Sequence, residues 1–120
     1  MAAGVFNFKV EQGVEYTFNA VYKDKDNVVI PLTDYTAAGK IKLKMSDPLH
    51  VAEFICTVDE SLGKVTVVLQ SDALDGIKFK ANKFDDYVEA VYDILLTKVG
   101  EVTKPIRLLN GTIKISPKVT

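Results

Sequence analysis

Reactive side chains are scarce in this sequence: Cys56 and His50 are single for their types, and tryptophan is absent. One cysteine excludes an internal disulfide, so packing alone must hold the fold, which suits a reducing compartment. One His and one Cys do not make the four-ligand set of structural zinc. Charge of one sign is missing too. Fifteen Lys+Arg against sixteen Asp+Glu leave a formal charge of -1, so no long-range field draws the chain to nucleic acid or anionic lipid. No stretch approaches the ~18 apolar residues of a membrane-spanning helix. Met1 to Asn7 lack both the basic and the apolar region of an export signal, and the expectation is a chain neither exported nor inserted in a membrane. The seven glycines form neither GxGxxG nor GxxxxGK[ST], which removes the usual phosphate cradles. No cofactor is expected.

What is present is a balance of 48% hydrophobic and 26% charged residues over 120 positions, enough for one core inside a solvated shell. The chain reads as a single domain over 1–120. Its ends, 1–4 and 116–120, carry little that could pack internally and read as flexible or partner-contacting. Period-two alternation runs through nearly every segment and points to strands. Phe6, Phe8 and Val10 form one set, and Val14, Tyr16, Phe18, Ala20 and Tyr22 another after Gln12-Gly13. Asp24 to Asn27 are turn formers leading into a short strand, Val28 to Ile30. Ile41, Leu43 and Met45 alternate with Lys40, Lys42 and Lys44, which predicts a strand near a sheet edge.

Further on, Ala52 to Val58 and Val65 to Leu69 predict a hairpin, and Ser71 to Gly76 at most one helical turn. From Tyr87 to Leu96 both parities carry apolar residues, as in a central strand covered on much of both faces. Val102 to Leu109 returns beside it. Asn110-Gly111 then reads as a bulge, or as a type I′ turn before Ile113 and Ile115, with the bulge preferred. About seven to nine short antiparallel strands at roughly 8–12-residue spacing predict an all-β fold, an Ig-like β-sandwich.

Candidate chemistry is thin. Cys56 shares the inward parity of Phe54 and Val58, so it reads as inert filling rather than as a nucleophile served by His50. Asp24-x-Asp26-Asn27 opens like a calcium loop, but Val29 and Tyr35 stand where its glycine and glutamate belong. Asp93 and Arg107 interrupt apolar strands, and each would be costly if buried alone. A three-residue loop would make them diagonal neighbours, and a two-residue loop would put Arg107 opposite Tyr92. The pair is the preferred arrangement, as a structural device that fixes register, with solvent exposure of at least one partner as the alternative.

The run Tyr87-Val88-Glu89-Ala90-Val91-Tyr92-Asp93-Ile94-Leu95-Leu96, followed by Gly100, Ile106-Arg107-Leu108-Leu109, Gly111 and Ser116-Pro117-Lys118-Val119-Thr120, resembles the ending of small tailed-phage structural proteins. Leu32-Thr33-Asp34-Tyr35-Thr36 before a charged alternating strand is similar as well. Asp34 departs from the pattern, since glycine is common before that tyrosine, and Phe79 to Asp86 resembles an insertion. The resemblance implies an Ig-like sandwich in a virion, as a capsid decoration, a tail or baseplate adaptor, or a head–tail component.

The expected function is accordingly non-enzymatic: a virion structural protein, assembled in the host bacterial cytoplasm, whose partners are other virion proteins and copies of itself. Val5, Ser116, Pro117, Val119 and Thr120 are the candidate contacts, because chain ends can add strands to a neighbouring sheet. The alternative is a carbohydrate- or receptor-binding sandwich module, for which Tyr35, Phe79, Phe84 and Tyr87 are the candidate stacking rings.

Overall fold

A computed structural model describes residues 4–77, 87–100 and 105–117. Its eight strands are β1 (Gly4–Val5), β2 (Phe8–Glu11), β3 (Tyr16–Val21), β4 (Tyr35–Lys42), β5 (Ala52–Asp59), β6 (Lys64–Leu69), β7 (Val88–Lys98) and β8 (Ile106–Ser116). Neighbouring strands follow the order β1-β8-β7-β4-β5-β6-β3, and β2 also pairs with β8. β5 joins two layers. Its first residues pair with β4 (Phe54 opposite Gly39), and its last with β6 (Val58 opposite Val65). The front layer holds β1, β2, β8, β7 and β4, and the back layer holds β6 and β3. This is an all-β, Ig-like sandwich.

Alternation sets which side chains meet between the layers. Ile41, Val65, Val67, Ala90, Ile94, Leu96, Ile113 and Ile115 are fully buried. At one side Phe8 and Tyr92 of the front layer meet Phe18 of the back layer, with ring centres 5.3 and 6.5 Å away. Such tilted and edge-on contacts add to the area that the rings bury.

Several sequence expectations change. β1 and β2 run parallel to β8, so the sheet is mixed rather than wholly antiparallel. β4 is the last strand of the front layer, near an edge as its lysine row suggested, but β5 covers its Gly39 to Ile41; its lysines face outward because that face of the sheet meets solvent. Val28 to Ile30 contributes only a bridge, Lys23 to Val29, closed by a turn in which the Asp24 carboxylate accepts from the N–H of Asp26 and Val28. Residues 71–76 are successive turns, with Ala73, Asp75 and Ile77 donating three residues back.

The C-terminal half holds the largest corrections. The bulge preferred at Asn110-Gly111 is not there, nor is the alternative turn: β8 runs through, with Asn110 opposite Asp93 and Gly111 opposite Tyr92 in register. The register shift lies instead at Leu108, since Ile94 faces Leu109 while Leu95 faces Arg107. Gly111 has a different duty: a Cβ there would run into the Phe6 carbonyl oxygen, where the chain crosses from β1 to β2. Ser116 is no loose end either. It pairs with Glu11, and its carbonyl accepts from Gln12 N–H at 3.0 Å. Val119 and Thr120 lie outside the described residues, as do Phe79 and Phe84.

Candidate interaction face

The outward side chains of the front layer form rows dictated by register. One row runs Lys40, Asp93, Asn110 and Val5, and the next runs Lys42, Val91 and Thr112. Asn7 closes the second row, because its side-chain oxygen accepts from the Thr112 N–H at 2.9 Å. Beneath the rows, the Tyr92 hydroxyl donates to the Phe6 carbonyl at 2.5 Å and ties the crossing chain to β7. Met45, from the loop after β4, hangs over the end of the face. Together these residues line a shallow groove of about 630 Å³.

Two features mark the groove. Apolar groups stand in water, since Val5 is 72% and Met45 81% exposed. Charge is uneven as well. Lys40, Lys42 and Arg107 line it against the single carboxylate of Asp93. Arg107 Nε lies 3.7 Å from Asp93 Oδ2, with both side chains partly in water. The one-residue shift at Leu108 makes them neighbours, rather than either loop length expected from sequence, because residues 99–105 link the strands. A pair this exposed is worth only a few tenths of a kcal/mol. The pair forms and the alternative of exposure holds as well, so neither charge carries a burial cost.

Among the residues singled out from sequence, Val5, Asp93 and Arg107 come together here, while Ser116 and Pro117 lie toward the other end of β8. Lys40, Lys42, Met45, Val91, Asn110 and Thr112 escaped sequence reasoning as site residues. Their signal was the lysine row, whose neighbours only register reveals.

The lone nucleophile and base stay apart from this face. Cys56 lies half-buried in β5, and burial pushes its thiol up to about 11, so it is protonated at neutral pH. The His50 ring nitrogen sits 3.1 Å from a Glu53 carboxylate oxygen. Tyr92 is pushed up to about 12, chiefly by burial and then by the charge of Tyr16.

No family model matches the sequence, and no curated protein does. Among solved structures the chain is similar to murine CRIg, at 8% identity and a TM-score of 0.41, over 93% of this chain and 92% of that one. It is also similar to the internalin-like protein lmo2027 of Listeria monocytogenes, at 10% identity and a TM-score of 0.36, over 97% of this chain and 28% of that one. Likeness at this level says nothing of what the chain binds. Strand order and register are what make it an Ig-like β-sandwich.

Proposed function

We propose that this chain is a non-catalytic structural protein that docks the outer face of its front sheet onto a neighbouring subunit, in a tailed-phage particle of the kind its C-terminal residues resemble. The carrying observation is the groove, where Val5 and Met45 stand exposed beside a surplus of cationic side chains. Exposed apolar groups rimmed by charge are the usual make-up of a protein contact. Weak contacts suffice in a lattice, because repetition raises the effective concentration of each further one. Assembly in the host cytoplasm fits a chain held by packing alone.

Particles purified from a host that encodes the chain should contain it in stoichiometric amount, as read by antibody labelling of the virions. Absence from the particles would end the proposal. The carbohydrate-binding alternative draws less support. Tyr35 is half-buried against the core, and the exposed Tyr87 ring already has the Lys114 ammonium 4.9 Å from its centre.

A further inference from the structure

β3 ends the strand order, and among the described residues no strand pairs with its outer side. Backbone directions there are fixed by its neighbours. Tyr22 N–H donates to Gly63 and Tyr22 C=O accepts from Ile30, so Tyr22 faces β6 and the hairpin. In an antiparallel ladder alternate residues point opposite ways. Tyr16, Phe18 and Ala20 therefore also direct their N–H and C=O groups toward β6, and Thr17, Asn19 and Val21 direct theirs outward.

Natural edges are blunted by lysine, proline or a bulge. Tyr16–Val21 carries none of these: its six residues are uncharged and pair with β6 in unbroken register. Charges appear only at its two ends. Glu15 precedes the strand and Lys23 follows it, and both are exposed.

We infer that β3 is a self-pairing edge, which joins a second copy of this chain antiparallel across a two-fold axis at Asn19. Outward-facing residues must pair with outward-facing residues. That leaves registers in which Asn19 faces Thr17, Asn19 or Val21 of the other copy. Only the middle one sets Glu15 opposite Lys23 in both directions. The flanking registers put Lys23 opposite Gly13 or Thr17 instead, and the second would bring Glu15 to Lys25, which sits in the Asp24–Asn27 turn beyond the extended chain. In the chosen register Thr17 faces Val21, and those pairs with Asn19 exchange backbone hydrogen bonds along the seam. Half-buried Phe18 comes opposite Ala20, and Tyr16 opposite Tyr22, which extends the back layer into one continuous sheet. A self-complementary patch is the requirement of a two-fold dimer.

The seam uses β3 and its flanking charges, whereas the groove is lined from β1, β4, β7 and β8 and the loops beside them; the two share no residue, so this edge stands or falls separately from the function proposed above. Sedimentation equilibrium on the full chain at low salt tests it. The wild type should dimerise, and Glu15→Lys or Lys23→Glu alone should weaken the dimer by about tenfold, since two symmetric pairs turn repulsive. Glu15→Lys combined with Lys23→Glu should recover it. Mild oxidation should crosslink Asn19→Cys, which meets itself on the axis, and leave Thr17→Cys uncrosslinked. A wild type that stays monomeric over the concentration series overturns the inference. So does a dimer indifferent to both single reversals. Were the dimer lost instead with Val5→Asp, the contact would be the groove, and the self-pairing edge would be wrong.

Discussion

Tyr92 shows how one side chain joins core and surface. Its ring packs against Phe8, Phe18 and Phe54, and its hydroxyl holds the carbonyl of Phe6 where the N-terminal chain crosses β8. Tyr92→Phe keeps the packing and orphans that carbonyl, so urea unfolding should show a loss of about 1–2 kcal/mol. Arg107→Ala should cost under about 0.5 kcal/mol by the same measurement, because its ion pair is partly in water. Asp34 has the opposite character. Its φ of 64° lies in the left-handed region, which a glycine adopts without strain and a side chain with a Cβ does not. Asp34→Gly should leave the melting temperature level or raise it, and Asp34→Val should lower it.

Titration at this scale has a definite sign. Cys56 and Tyr92 both have folded pKa values above their ordinary ones, so the folded chain binds more protons than the unfolded chain between them. Their contribution is complete below about pH 9 and is lost as pH rises through about 11 for the thiol and about 12 for the phenol. Thermal melts should therefore be flat in these two groups near neutrality and fall in alkali. Cys56→Ala should remove the earlier part of the fall.

Among the elements, β7 was the most legible in sequence, because its inward residues are large, apolar and regularly spaced. The first half of β4 was not. Thr36, Ala37, Ala38 and Gly39 carry almost no periodic signal, yet Gly39 lies under Ile94 and Phe54, where a Cβ would come within 2.5 and 2.7 Å of their side chains. Smallness there is a packing requirement that alternation cannot announce. Sequence places the irregularity of β8 at Asn110-Gly111 for a related reason, since Gly111 resembles a bulge or turn signal but is needed for the crossing of Phe6. Gly111→Ala should push that crossing away and cost about 1–3 kcal/mol, with hydrogen exchange rising first at residues 4–7. Ser116 looked like a tail because polar residues and Pro117 follow the last apolar pair. Its strand continues through pairing with β2, a long-range contact that lies outside any local pattern.

For the molecule as a whole, the sandwich class was legible, whereas the groove was not. It draws residues from β1, β4, β7 and β8, and the parallel placement of β1 on β8 cannot be read from spacing. Net charge hid it as well. A total of -1 coexists with a local surplus of lysine and arginine on the front sheet. Contact through that face should weaken as salt rises past the ~10 Å screening length at 0.1 M, if the partner surface is acidic.

Docking through this face is tested most directly by competition for uptake into particles between the wild type and a Val5→Asp, Met45→Asp double variant. Both side chains are exposed, so the variant should melt with the wild type. Uptake of the variant should fall more than about tenfold, as expected when two apolar contacts become charged. Equal uptake of the two chains would contradict the account.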